Sequence, residues 1–154
     1  MAASELVCVI DPIHAVGMER IGAAHDIIGP ESWASDPRLE KTTFIVIRTT
    51  EIGEELFARM PGLKAIVKHG AGVDNIDIPA ATARGVMVAN TPGGNNSTAV
   101  AEGAVALMLA LRRQVREMDE LVRSGRFDER WSVRLGDLTG SRVGLVGFGR
   151  IARC

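Results

Sequence analysis

The chain has 154 residues, enough for one ordinary domain with a buried core, and its 46% hydrophobic and 24% charged residues are typical of globular proteins. A net charge of -1 without a block of like charges argues against nucleic acid or an anionic membrane as a partner. Cys8 in an apolar run and Cys154 at the last position indicate a reducing compartment rather than a disulfide scaffold. We expect a cytoplasmic protein, because the N-terminus resembles no signal peptide and no segment is long enough to span a membrane.

Short apolar runs alternate with helix-like segments from the N-terminus to Asn90. The predicted strands are LVCVI (6–10), HDIIG (25–29), TTFIVIR (42–48), LKAIVK (63–68) and VMVAN (86–90), and helices are predicted at 18–24, 53–60 and 78–85. Continuous apolar strands indicate a sheet covered on both faces, and the intervening helices indicate parallel pairing. We therefore predict a five-stranded, doubly wound α/β domain for residues 1–96.

The pattern changes after Asn90, where a glycine-rich loop precedes a long apolar stripe at spacings of 3 and 4. This stripe predicts a helical segment that is broken near Arg113 and ends at Ser124-Gly125. It consists of Ala101, Ala104, Met108, Leu111, Val115, Met118 and Val122. The stripe suits a core helix about as well as a helix between domains or subunits. Small residues flank the stripe and would let another backbone approach, so the second interpretation predicts a homodimer. Residues 97–154 then form a second part of the chain.

The last residues, SRVGLVGFGRIARC, predict a buried sixth strand, a glycine turn and the start of a helix. Residues 147–152 match G-x-G-x-x-[G/A], in which the glycines permit a tight turn and a close approach to the pyrophosphate of a dinucleotide. The alternative is a glycine loop without a ligand, because isolated matches are common. The acidic residue that would hold the ribose, about 20 residues later, lies beyond Cys154.

A second glycine loop, VKHGAGVDNID (67–77), leaves the predicted fourth strand at the end where open α/β sheets bind ligands. Gly70 and Gly72 can present backbone N–H groups to a carboxylate or phosphate, with the Lys68 ammonium nearby. Arg48, at the end of the third strand, would project towards the same edge. The alternatives are an ordinary glycine turn and a solvated arginine. The two cations favour an acid substrate with a second anionic or polar group.

The segment from Lys68 to Ala110, followed by LTGSRVGLVGFGRIA, resembles the D-isomer-specific 2-hydroxyacid dehydrogenases. The phosphoglycerate dehydrogenase and hydroxypyruvate reductase branches are the most similar. The resemblance implies a flavodoxin-like substrate domain, connecting helices, the first strand of a truncated Rossmann domain, and NAD as cofactor. We therefore expect that the chain is an N-terminal portion and that most of the cofactor domain is missing.

The same resemblance assigns candidate site residues. It implies that Gly70, Ala71 and Gly72 hold the substrate carboxylate and that Arg48 and Lys68 lie at anion-binding positions. It also implies that Ala71 lies near the nicotinamide. The cofactor-binding residues it implies are Ala71, Gly147, Phe148, Gly149, Arg150 and Ile151.

The catalytic Arg, Glu and His of the family lie downstream of Cys154, so no catalytic residue can be named, and no metal site is expected. The leading hypothesis is a dehydrogenase of small D-2-hydroxy or 2-oxo acids, with the fragment inactive alone. One alternative is a non-catalytic NAD-sensing or corepressor-like protein on the same fold. A lone flavodoxin-like domain is another, although an apolar strand at 143–147 argues against it because such a strand needs neighbours.

Overall fold

The computed structural model describes residues 4–92 and 96–154. The chain divides into two compact units, Met1–Pro92 and Gly93–Cys154, which we call the N-terminal unit and the C-terminal unit. The boundary predicted near residue 96 adjoins residues 93–95, which lie outside the described residues, so it stays a prediction.

The N-terminal unit contains a five-stranded parallel sheet. Its strands are β1 (Leu6–Val9), β2 (Asp26–Ile28), β3 (Phe44–Ile47), β4 (Ala65–Lys68) and β5 (Met87–Asn90), and its helices are α1 (Ala15–Gly22), α2 (Glu54–Arg59) and α3 (Ile78–Ala83). The strand order is β2-β1-β3-β4-β5, and every neighbouring pair is parallel. This order is that of flavodoxin-like doubly wound sheets, so the predicted fold class is confirmed.

The strand register separates the two faces of the sheet. Ile45 pairs with Ile66 and Ile47 with Lys68, so these residues share one face, whose isoleucines are fully buried. On the other face Val9 is buried, but Val67 is 38% and Met87 67% exposed. The expectation of a sheet covered on both faces therefore holds at β1, whereas one face of β4 and β5 is open.

Local sequence explains where α3 starts. The Asp77 carboxylate accepts a hydrogen bond of 2.9 Å from the backbone N–H of Ala80, as an N-cap residue does. Pro79 lies in the first turn, where its missing N–H has no intrahelical partner to lose. Asp77 N–H also donates to the carbonyl of Ile52, and Ile52 N–H to that of Asn75. The loop after β4 is thus connected to the segment after β3.

The C-terminal unit consists of helices and connecting segments. Helix α4 (Asn96–Arg112) and helix α5 (Val115–Arg123) are separated by Arg113 and Gln114, which confirms the predicted break. Gln114 has a left-handed backbone with φ 48°, and this conformation ends α4. Two short 3-10 helices follow, at Phe127–Ser132 and Ile151–Arg153.

The sixth strand that the sequence predicts does not form. Residues 142–148 carry no strand pairing in the described part of the chain, and the side chains of Val143, Leu145 and Val146 are exposed. A β-strand is stabilised by hydrogen bonds to a neighbour, and the described residues of the C-terminal unit contain no other strand to supply one. The α-helix predicted after the glycines is a three-residue 3-10 helix at Ile151–Arg153.

Candidate functional site

The glycine loop of the sequence lies at the carboxyl end of β4, beside the end of β5. Its carbonyl groups are held by β5: Asn90 Nδ2 donates to the Ala71 carbonyl at 2.7 Å, and Thr91 N–H donates to the Gly70 carbonyl at 3.0 Å. The Gly70 N–H donates to Thr91 Oγ1 at 2.9 Å. These three contacts fix the direction in which the loop presents its peptide groups.

The amide groups that follow Gly70 are available to a ligand. Neither Ala71 N–H nor Gly72 N–H donates a hydrogen bond to any described residue, and both residues are exposed. A Cβ added at Gly72 would lie 3.0 Å from an Asp74 carboxylate oxygen, so any other residue there would crowd Asp74. Free backbone N–H groups at this edge of a parallel sheet suit a carboxylate or a phosphate.

Asp11 joins the ends of β1 and β3. One of its carboxylate oxygens accepts from the backbone N–H groups of Arg48, Thr49 and Thr50 at 2.6, 2.9 and 3.1 Å. The other accepts from the hydroxyls of Thr49 and Thr50 at 3.2 and 2.7 Å. Burial alone would raise the pKa of Asp11, but the hydrogen bonds from Arg48, Thr50 and Thr49 outweigh burial and lower the pKa to about 2.

The two predicted cations have different environments. Arg48 is exposed, and its guanidinium makes no hydrogen bond or ion pair with the described residues. Lys68 is only 7% exposed. Its ammonium donates to the backbone carbonyl of Arg48 and, at 2.5 Å, to Asn75 Oδ1. Arg48 is therefore accessible to an anion in solution, whereas Lys68 is engaged inside the protein.

The candidate cofactor residues do not form a dinucleotide cradle here. Gly147 has φ 90°, a turn conformation suited to glycine, and a Cβ at Gly149 would meet no atom within 4 Å. However, neither a strand nor an α-helix flanks these glycines among the described residues. The oriented N–H groups of a helix N-terminus, which hold a pyrophosphate, are thus not assembled. The glycine pattern is present, but the fold that would use it is not.

The described residues contain neither a candidate metal cluster nor a helix that could span a membrane. Residues 4–92 and 96–154 contain no cluster of three or more His, Cys, Asp and Glu side chains able to hold a metal ion. In the same ranges no helix has both the length and the apolar character that a bilayer crossing requires.

Sequence reasoning missed four polar residues that organise this edge: Asp11, Asn75, Asn90 and Thr91. Each lies at or just after the end of a strand, or in the loop that follows one. Polar residues placed directly after apolar runs were the signal that could have identified Asp11, Asn90 and Thr91. Asn75 lies in the loop after β4, and sequence spacing does not reveal its long-range partner Thr50.

Comparisons with known proteins identify a family to which the sequence is similar. The family model for the D-isomer specific 2-hydroxyacid dehydrogenase, catalytic domain, matches residues 7–131. Glyoxylate reductase from Thermofilum pendens is 40% identical over 115 residues, covering 73% of this chain and 34% of that protein. D-3-phosphoglycerate dehydrogenase from Archaeoglobus fulgidus is 42% identical over 108 residues, covering 70% of this chain and 20% of that protein.

A solved structure is similar to this chain over nearly its whole length. The NADPH-dependent glyoxylate/hydroxypyruvate reductase from Sinorhizobium meliloti, in complex with NADP and malonate, is similar with a TM-score of 0.81 and 26% identity. The match covers 98% of this chain and 48% of that one. This chain therefore spans about half the length of that reductase and a smaller share of the two relatives named above.

Proposed function

The chain belongs to the D-isomer-specific 2-hydroxyacid dehydrogenase family, and we propose that it supplies the acid-binding part of an oxidoreductase. The whole enzyme transfers a hydride between NAD(H) and the C2 carbon of a small D-2-hydroxy or 2-oxo acid. Two relatives are named glyoxylate reductase and D-3-phosphoglycerate dehydrogenase, and these names support this substrate class. The single observation that carries the proposal is the exposed loop at Ala71 and Gly72, whose free N–H groups lie at the carboxyl ends of parallel strands.

The residues of this chain bind and orient the acid. The substrate carboxylate accepts hydrogen bonds from the N–H groups of Ala71 and Gly72, next to Gly70. The exposed guanidinium of Arg48 binds the second anionic or polar group, as in 3-phosphoglycerate or hydroxypyruvate. Asn90 and Thr91 keep the loop in the orientation that this contact requires. The family resemblance implies an anion-binding position for Lys68 as well.

The proposed cofactor is NAD. The residues proposed to contact it are Ala71, Gly147, Phe148, Gly149, Arg150 and Ile151, and their support is the family resemblance together with the glycine pattern. When bound, a nicotinamide supplies or accepts the hydride. Because no cradle is assembled around these glycines, the part of the reaction that we assign from the geometry of the described residues is the binding of the acid, by backbone N–H groups and the Arg48 side chain.

The 154 residues alone are proposed to be inactive. Moving the hydroxyl proton requires a positioned acid or base. Within residues 4–92 and 96–154, no histidine is hydrogen-bonded or ion-paired to a carboxylate. His14 caps α1, and His25 Nδ1 lies 3.5 Å from the N–H of Glu5. His69 is exposed beside the loop, and the family does not use that position as its base.

Self-association through α4 is also proposed. The exposed apolar residues of this helix, unusual for a stable monomer, are Val100, Val105, Leu107, Leu109 and Leu111. A homodimer that covers them fits the prediction from the sequence.

The proposed function is tested with the purified chain, which should bind the acids but should not oxidise NADH. Glycolate and D-3-phosphoglycerate should shift the amide NMR signals of Gly70, Ala71 and Gly72, while NADH with glyoxylate or hydroxypyruvate gives no oxidation at 340 nm. Arg48→Ala should weaken phosphoglycerate binding by about tenfold or more, because a hydrogen bond to a charged group is worth about 1.5–3 kcal/mol. Arg20→Ala removes another exposed arginine and serves as the control.

Two outcomes would contradict the proposal. Acid-induced shifts confined to residues outside the loop would place the binding site elsewhere. Steady NADH oxidation by the 154-residue chain would show that it carries its own acid and base.

A further inference from the structure

Lys68 and Arg48 start on opposite faces of the sheet. Ile47 pairs with Lys68 in the parallel register of β3 and β4, so these two side chains share the buried face. The ladder continues one step further, because His69 N–H donates to the Ile47 carbonyl at 2.7 Å. Since side chains alternate along a strand, Arg48 and His69 project from the other face. The two cations therefore do not converge on one point from the same side.

The Lys68 ammonium connects the ends of two segments instead. It donates to the Arg48 carbonyl and to Asn75 Oδ1, which lies 2.5 Å away. Asn75 in turn donates from Nδ2 to the Thr50 carbonyl at 2.5 Å. Lys68 and Asn75 together hold carbonyl groups of the segment after β3, and they attach it to the glycine loop that contains Asn75.

Asp11 completes this arrangement from the opposite side of the same peptide groups. Its carboxylate holds the N–H groups of Arg48, Thr49 and Thr50, while Lys68 and Asn75 hold the carbonyls of Arg48 and Thr50. The segment from which the Arg48 side chain projects is thus fixed through both its donors and its acceptors. We call Asp11, Lys68 and Asn75 the brace.

We propose that Lys68 is a positioning residue, which fixes Arg48 and the Gly70–Gly72 loop relative to each other through the brace and does not contact the acid. This inference rests on the proposed function, because it assigns acid recognition to Arg48 and the loop amides. Lys68 is 7% exposed, and its ammonium, which is bonded to two oxygens of the protein, would have to leave them to reach a substrate. Such a move would leave a carbonyl oxygen and an amide oxygen, both in partly buried contacts, without this donor.

The two roles predict different selectivity. A lysine that contacts the second anionic group would, when removed, weaken D-3-phosphoglycerate much more than glycolate. A lysine that positions the loop would weaken both acids by a similar factor. It would also change the loop amides before any acid is added.

The experiment uses the 154-residue chain and compares four variants by amide NMR, first without ligand and then with glycolate or D-3-phosphoglycerate. Lys68→Met removes the ammonium, and Lys68→Arg retains donors for the same oxygens. Asn75→Ala breaks the brace but keeps the Lys68 ammonium, and it replaces Lys68→Met in the comparison if that variant does not fold. Asp77→Ala removes only the cap of α3 and is the control for general destabilisation.

We expect Lys68→Met and Asn75→Ala each to shift the ligand-free signals of Thr50 and of Gly70–Gly72. Each should raise the Kd of both acids by a similar factor of about five to ten. Lys68→Arg should restore at least part of the affinity, and Asp77→Ala should lower stability without changing either Kd.

Three results would overturn the inference. A loss limited to D-3-phosphoglycerate with an unchanged ligand-free spectrum would make Lys68 a direct ligand. Unchanged loop signals in both Lys68→Met and Asn75→Ala would show that Lys68 has no positioning role. An equal loss of acid affinity in Asp77→Ala would show that the effect of Lys68 is one of general stability. If the unmutated chain binds neither acid, the proposed function fails, and the ligand-free spectra alone then decide whether the brace orders the loop.

Discussion

Asp11 is the residue on which the most contacts at the carboxyl edge of the sheet depend. Asp11 is only 9% exposed, and its carboxylate accepts five hydrogen bonds. Three of the donors are backbone N–H groups that have no partner in a neighbouring strand. These donors stabilise the charged form, which is why the pKa of Asp11 falls to about 2 despite burial. The charge of Asp11 therefore contributes to the stability of the fold and to the conformation from which Arg48 projects.

The stability of the chain should consequently depend on pH through Asp11. Its folded pKa of about 2 lies below the ordinary value of about 3.9, so its contribution is complete above about pH 4 and is lost as pH falls towards 2. We expect Asp11→Asn to lower the free energy of unfolding by about 2–3 kcal/mol at pH 7 and to flatten its pH dependence in that window. Urea unfolding between pH 2 and pH 7 measures both effects.

Asp74→Asn is the matched control, because Asp74 is exposed and forms no hydrogen bond to the described residues. It should leave the pH profile of unfolding unchanged. An Asp11→Asn profile parallel to that of the original protein would contradict the assignment.

At the scale of elements, the break between α4 and α5 depends on one backbone conformation. Gln114 is the only described non-glycine residue with positive φ, at 48°. The left-handed conformation costs an L-residue about 1–2 kcal/mol, which Gln114 offsets in small part by a 3.1 Å hydrogen bond from Nε2 to the Leu111 carbonyl. The break is therefore strained, and it is tolerated because it redirects the chain between two helices.

Gln114→Gly should relieve this strain. Glycine adopts positive φ freely but also gains freedom in the unfolded chain, so we expect a net increase of about 0.5–1 kcal/mol in the free energy of unfolding. Urea unfolding followed by far-UV circular dichroism measures the change. Gln114→Ala loses the same side-chain hydrogen bond but keeps Cβ, and it should give no increase. Equal stability of the two variants would show that strain at residue 114 is not the cause.

The positions of the strands in the sequence could be predicted more completely than the neighbours with which the strands pair. The apolar runs identified all five strands, because a buried parallel strand needs continuous apolar residues whatever its neighbours are. The run at 143–147 has the same character, yet it forms no strand, since pairing depends on a neighbour that local sequence does not reveal. Arg48 and the glycine loop were found from their positions at strand ends. The burial of Lys68 and its bond to Asn75 depend on register and long-range contact, which spacing does not encode.

At the scale of the whole molecule, exposed apolar residues are frequent in the C-terminal unit, and α4 is the helix that carries the most of them among the described residues. Leu107 and Leu111 are each 72% exposed, and further exposed apolar residues occur along the same helix. The stripe predicted from the sequence is only partly responsible, because Ala101, Met108 and Met118 are half-buried within it. Exposed apolar area of this kind favours association, as the proposed homodimer requires.

Replacing Leu107 and Leu111 with lysine should weaken that association. Two charges at the most exposed positions of α4 would have to be desolvated in any interface that covers them. We expect the unmutated chain to sediment as a dimer or larger species at micromolar concentration, and Leu107→Lys/Leu111→Lys to shift the equilibrium at least about tenfold towards monomer. Val16→Lys places a charge on exposed α1 and is the control. A monomeric unmutated chain in sedimentation equilibrium would refute the assignment.

The strand order of the N-terminal unit also has a consequence for biosynthesis. β1 leaves the ribosome first, β2 and β3 can then join its two sides, and β4 and β5 extend the sheet in the order of their synthesis. A strand can pair only with a neighbour that has already been synthesised, and in this strand order each strand after β1 finds its parallel neighbour already made. The glycine loop follows β4, and its anchors Asn90 and Thr91 come only with β5. The edge that carries the glycine loop is therefore the last part of this sheet that translation completes.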